Sequence, residues 1–120
     1  MKKQVKSVPI YKGKLIFIDS ENNEKLRKMC PAILEEEDLY AHAVKGSYKG
    51  FMGYFLVIDS SRYPISPGTI AHEAVHIAMY IFETVGATVE NDNPEPFTYL
   101  VGYITDEFHK WASKNKIKIR

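Results

Sequence analysis

The sequence predicts an α+β fold, a small antiparallel or mixed sheet packed on a central helix and a second long C-terminal helix. Two observations carry this. Stretches rich in aromatic and β-branched residues fall in the first half of the chain, and two long stretches with apolar residues at three- and four-residue spacing follow in the second. At 120 residues and 45% apolar content the chain is long enough for one core and too short for two, so residues 1–120 are expected to form a single domain.

Residues 5–10 and 15–19 read as two short strands joined by a turn around Tyr11-Lys12-Gly13-Lys14. Ser20 is the expected N-cap of a short helix with an acidic first turn, closed by Pro31. The run Glu35-Glu36-Glu37-Asp38 reads as a solvated loop or helix end. Residues 39–44 and 51–59 are strand-like and flank a segment with two glycines, 45–50, which predicts a β-hairpin. Ser66 as N-cap, Pro67 at the first helical position and Gly86 as stop mark a helix over 67–85. A second helix is expected over 94–113, because Phe97, Leu100, Ile104, Phe108 and Trp111 make one apolar face. The tail, 114–120, alternates Lys with Ile and reads as a terminal strand or a loose end.

Sixteen Lys and Arg against fifteen Asp and Glu leave a net charge of +1, which provides no global field for a polyanion. Function must then come from local chemistry. The single cysteine, Cys30, makes no intramolecular disulfide and suits a reducing compartment. The basic start, Met1 to Lys6, is not followed by an apolar run of signal-peptide length, and no stretch has the roughly 20 apolar residues of a membrane span. The expectation is a cytoplasmic protein with no membrane partner.

Within the first long helix stands His72-Glu73-Ala74-Val75-His76. Residues four apart share a helix face about 6 Å apart along the axis, so the two imidazoles can converge on one ion. Glu73 lies about 100° round from His72, beside the ion, where a carboxylate can take a proton from bound water. A shuffled chain of this composition would carry the pattern on the order of once in a hundred, so context has to decide. That context is a helix apolar almost all round, with Ile70, Ala74, Ile77, Ala78, Ile81 and Val85 opposite the histidines, which predicts a central buried helix. Polar groups inside such a helix are costly unless they bind something, although a hydrogen-bonded pair of core histidines is the alternative.

The stretch from Thr69 to Ala78 resembles the extended motif of the zincin zinc metallopeptidases. It has Thr three before the first His, uncharged residues between the histidines and apolar residues after the second. The resemblance implies zinc held by His72 and His76, peptide-bond hydrolysis with Glu73 activating the metal-bound water, and a peptide or protein substrate lying antiparallel to the edge strand before the helix. Here that strand is 51–59, which opens with Phe51 and closes with Asp59, and recognition would be by strand addition.

Catalytic zinc sites usually have three protein ligands. The glycine and third histidine of metzincins are missing after His76. Glu83 is on the histidine face but about 10 Å further along the helix, and His109 reads as a surface histidine. Glu95, in the first turn of the second helix, is the strongest third ligand, with Asp92 in reserve. This arrangement resembles gluzincins, and the stretch from Asn91 to Tyr103 is similar to a helix of small metallopeptidase-like proteins encoded by bacteriophages. The likeness spans roughly residues 39–111. One departure is Tyr99, four after Glu95, where many gluzincins carry an acidic residue. Glu95, Tyr99, Gly102 and Asp106 form one stripe that faces either the site or water, and Gly102 would permit close approach of a neighbour. Tyr99 or Tyr103 is a candidate to stabilise an oxyanion. His42, on a strand, is left outside the site.

The leading expectation is therefore a zinc metallopeptidase. The alternatives are a zincin-fold binding module or phage effector that binds a host protein without hydrolysis, and limited proteolysis of a repressor, for which no DNA-binding helix pair is legible. Nucleic acid is not the expected partner. Lys2, Lys3, Lys6, Lys12 and Lys14 at one end and Lys110, Lys114, Lys116, Lys118 and Arg120 at the other could meet as a basic patch. They lack an aromatic stacking platform and read as solubilising termini.

Overall fold

The protein, described from a computed structural model over residues 1–21, 23–29 and 41–120, is an α+β fold of one four-stranded sheet with two long helices on one face. The elements are β1 (Lys2–Ser7), β2 (Lys14–Asp19), α1 (Asn23–Met29), β3 (Ala41–Tyr48), β4 (Phe51–Ile58), α2 (Pro67–Val85) and α3 (Glu95–Lys114). The strand order is β1-β2-β4-β3, antiparallel in both outer pairs and parallel between β2 and β4, so the sheet is mixed.

Strands β2 and β4 are central because their side chains are apolar on both faces. Leu15, Phe17, Tyr54, Leu56 and Ile58 point to the layer of α2 and α3, where Ile70, Ala74, Ile77, Ala78 and Ile81 meet Leu100, Ile104, Phe108 and Trp111. Ile16, Ile18, Phe55 and Val57 point to the other face and pack with Leu26 of α1 and with Tyr48. Helix α2 lies over β3 and β4. Helix α3 is tied to the other half of the sheet, through Phe108 against Phe17 at 5.2 Å and Glu107 paired with Lys6.

Several boundaries differ from the sequence expectation for local reasons. The first strand is Lys2–Ser7 and not 5–10, because Val8 to Gly13 closes a turn in which Ile10, Lys12 and Gly13 all have positive φ. Such backbone cannot continue a strand. The Ser20 N–H donates to the Ile58 carbonyl, extending the β2–β4 ladder, and α1 begins at Asn23. The hairpin loop is only Lys49-Gly50, both with positive φ, so β3 runs on to Tyr48, past the expected end at 44. Cys30, Pro31, the acidic run Glu35 to Asp38, Leu39 and Tyr40 lie outside the described residues. The tail does extend the fold, since Ile119 bridges Ile65 in parallel and Ile117 is buried.

Helix α2 has the expected bounds. The Ser66 side chain accepts from the Thr69 N–H at 3.1 Å, and Gly86 stops the helix with φ 74°. Its environment is less enclosed than expected. The face bearing His72, Val75, His76, Met79 and Glu83 is open to solvent, and Val85 is exposed as well. Among the described residues no helix is long and apolar enough to cross a membrane.

Candidate metal centre

The stripe His72, His76, Tyr80 runs along the solvent-facing side of α2 at four-residue spacing, so each ring lies over the next. The Nε2 atoms of His72 and His76 are 3.1 Å apart, with ring centroids 4.8 Å apart and planes at 71°. The His76 ring stacks on Tyr80 with planes at 23°. Tyr80 in turn donates its hydroxyl to the Ala43 carbonyl at 3.4 Å, which ties the stripe to β3. Beyond it Lys45 of β3 bonds Glu83 and lies 5.7 Å from the Tyr80 ring. This chain of contacts holds the histidines beside an edge strand.

Glu73 points the other way, into the contact between α2 and β3, where only 9% of it is exposed. Burial pushes its carboxyl above the ordinary range; positive charge at His76 and His72 and the Ala43 N–H pull the other way. A buried carboxylate next to two imidazoles is a proton acceptor better suited to neutral pH than a free one.

Two imidazole nitrogens bound to one tetrahedral zinc, with arms of about 2.0–2.1 Å, sit about 3.3–3.4 Å apart. The two exposed ring nitrogens are within hydrogen-bond distance of each other, and their 3.1 Å separation is also close to that edge. The desolvation argument raised from the sequence holds for Glu73 but not for the two histidines, which are exposed.

The third ligand is not brought to them. Among the described residues no three of His, Cys, Asp and Glu gather as a metal site, so Glu95 and Asp92 stand apart from His72 and His76. The helices are antiparallel neighbours whose ring contact is Phe82 with Phe97, at 5.3 Å. The start of α3 is thus set near Phe82, which is six residues or about 9 Å past His76 along the axis of α2. Glu95, Tyr99, Gly102 and Asp106 all face solvent, and a Cβ on Gly102 would meet nothing within 4 Å, so no neighbour approaches there. Tyr99 and Tyr103 line an apolar groove with Pro9, Ile10 and Tyr11, on the β1–β2 side of the helix layer and not at the histidines. His109 bonds the Thr105 carbonyl on its own helix. His42 pairs in register with Val57 and so faces away from α2.

The strand expected at the sheet edge is internal: β4 pairs with β2 on one side and β3 on the other, so it has no edge to offer a peptide. The edge beside α2 is β3. Tyr80 and Ala43 are the contributors that sequence reading missed, although continuing the His72, His76 spacing by four would have found the tyrosine. Compared with known proteins, the chain matches no family model, no curated protein and no solved structure.

Proposed function

We propose that this chain is a zinc-dependent hydrolase of peptide bonds, with His72 and His76 as metal ligands and Glu73 as the proton carrier. The observation that carries the reading is the convergence of two Nε2 atoms at 3.1 Å beside a buried carboxylate. Zinc held there would polarise a substrate carbonyl and lower the pKa of a water towards about 7. Glu73 accepts the proton of the attacking water at its carboxylate, which burial has made more basic, and returns it to the departing amine. Tyr80 braces the His76 ring, and the Ala43 N–H steadies the Glu73 carboxylate.

Metal content by mass spectrometry, paired with peptide-library turnover, tests this reading. Wild type is expected to carry one zinc per chain, lost in His72→Ala and His76→Ala. Glu73→Gln should keep the metal while losing turnover by about 100-fold or more. Full turnover with zinc retained in Glu73→Gln would overturn the reading. Glu95→Ala and Asp92→Ala belong in the same series as tests of the third position, and retention of zinc in both is expected from their distance.

One observation favours a non-hydrolytic binding module as the second reading. The outward N–H and C=O of Ala43, where an added strand would pair, are already engaged by Glu73 and Tyr80. Zinc binding without turnover across the library, unchanged by Glu73→Gln, would select that reading.

A further inference from the structure

We infer that the sheet face opposite α2 and α3 carries a second site, a platform for single-stranded nucleic acid built from Phe51, Tyr48, Lys3, Lys14 and Lys49. The near-zero net charge hides a strong asymmetry. No acidic residue occurs in residues 1–18 or 41–58, the segments that build the four strands, apart from Asp19 at the end of β2. Of the lysines on the helix side of the sheet, Lys6 is neutralised by Glu107 and Lys45 by Glu83, and Lys2 bonds the Asn115 carbonyl. Those on the far side are not: among the described residues Lys3, Lys14 and Lys49 have no carboxylate partner.

These three come from three different elements and converge on two adjoining rings. Tyr48 and Phe51 are register partners across the β3–β4 hairpin. Lys3 of β1 and Lys49 of the hairpin turn lie 5.9 and 5.5 Å from the Tyr48 ring, and Lys14 of β2 lies 4.8 Å from the Phe51 ring. Like charges gathered without counter-charge repel one another, so the arrangement is completed by an anion. Lys49 adds an independent sign. It sits at φ 48° in a two-residue turn position that favours Asn or Gly, so the backbone there gains nothing from a lysine.

The rings narrow the class of anion. Phe51 is 54% exposed and carries the Lys14 ammonium over part of its ring, whereas Tyr48 is buried beneath its two lysines, so the exposed part of Phe51 is what a base can reach. An unpaired base offers a π-face to such a ring and a phosphate to the surrounding ammonium groups, which is how single strands are held without sequence preference. A duplex hides its base faces. A bilayer would have to take the Lys14 ammonium into hydrocarbon along with Phe51, which is costly. An acidic peptide supplies charge but no flat ring at each step.

The test is fluorescence polarisation with a labelled oligothymidylate of about ten nucleotides, titrated across salt. For three phosphate contacts the logarithm of affinity should fall with the logarithm of salt at a slope of about −2. Replacing Lys3, Lys14 and Lys49 together by Gln should flatten that slope towards zero and weaken binding at least tenfold. Phe51→Ser should weaken binding about tenfold with the slope retained. Lys49→Gly, which suits the turn backbone and should fold at least as well as wild type, should still bind more weakly and lower the slope by about 0.7. The inference is overturned by absence of binding at low salt, by equal affinity for a duplex of the same length, by equal binding of phosphatidylserine vesicles or polyglutamate, or by variants that bind like wild type. None of these readouts depends on zinc or on Glu73.

Discussion

Glu73 and Glu107 are the buried carboxylates among the described residues, and their surroundings push them in opposite directions. Glu107 bonds Lys6 at 2.5 Å and Lys110 at 3.4 Å, and the Lys6 ammonium above all holds its carboxyl below the usual range. A depressed folded-state pKa contributes stability above the unfolded value near 4.5, and that stability is lost as pH falls through the folded value. The Lys6 ammonium is raised above 10.5 chiefly by its bond to Glu107, so its share is complete below 10.5 and disappears as pH rises further. Glu107→Gln is therefore expected to lower the thermal midpoint at pH 7, with the gap to wild type closing in acid. Equal midpoints at pH 7 would show that the pair contributes nothing. Glu73 has the reverse sign: burial dominates, so ionising it costs stability as pH rises above 4.5. In metal-free protein Glu73→Gln should match wild type in acid and exceed it in stability at neutral pH. A neutral variant that is less stable at pH 7 would mean that the Ala43 N–H and the histidines outweigh burial.

Two elements hold the candidate centre, and each has one position on which it depends. Helix α2 begins on the Ser66 side chain, which accepts from the Thr69 N–H three residues before His72. Ser66→Ala should cost about 1 kcal/mol in chemical denaturation and fray the turn that leads into the histidines. The hairpin β3–β4 depends on Gly53. A Cβ there would come within 2.7 Å of the Phe55 ring and 3.0 Å of the Tyr48 Cβ, and both side chains are buried. Gly53→Ala is expected to destabilise by about 1–3 kcal/mol, because neither ring has room to turn aside. The same crowding seats Tyr48 at 6.0 Å from Phe55 and so fixes the ring on which Lys3 and Lys49 converge. A Gly53→Ala protein as stable as wild type would show that the face repacks freely.

At the scale of the molecule, the two-helix layer divides the chemistry. Helix α2 stands over the β3 edge with its histidines outward, while α3 packs Phe108 and Trp111 against Phe17 of β2 and pairs Glu107 with Lys6 of β1. A metal that binds only the folded arrangement stabilises it by mass action. At a free zinc concentration 100 times its dissociation constant the gain would be about 2.7 kcal/mol. Thermal scans should therefore show an upward shift with zinc that a chelator reverses and that His72→Ala and His76→Ala abolish. A shift that survives both substitutions would put the metal elsewhere.

Much of the local structure was legible because it follows from short-range chemistry. The bounds of α2 came from Ser66, Pro67 and Gly86, and the pairing of His72 with His76 came from helical spacing alone. The apolar stripe of α3 was equally plain, from Phe97 to Trp111. What spacing does not encode is which elements become neighbours. Glu95 had the right chemistry at the start of the right helix, but the antiparallel packing of Phe82 on Phe97 sets it against the far end of α2. The stretch from Phe51 had the composition of a strand, yet only the parallel pairing of β2 with β4 made it central and left β3 at the edge. Lys3 and Lys14 read as solubilising charge near a terminus, and only the sheet sets them with Lys49 round two rings. By itself, then, the sequence determined the α+β class, the capped helix and the two converging imidazoles, since those rest on contacts within a few residues. The long-range burial of apolar faces decided the rest: Glu73 inside, the histidines outside, Ala43 and Tyr80 beside them, and Glu95 away from them.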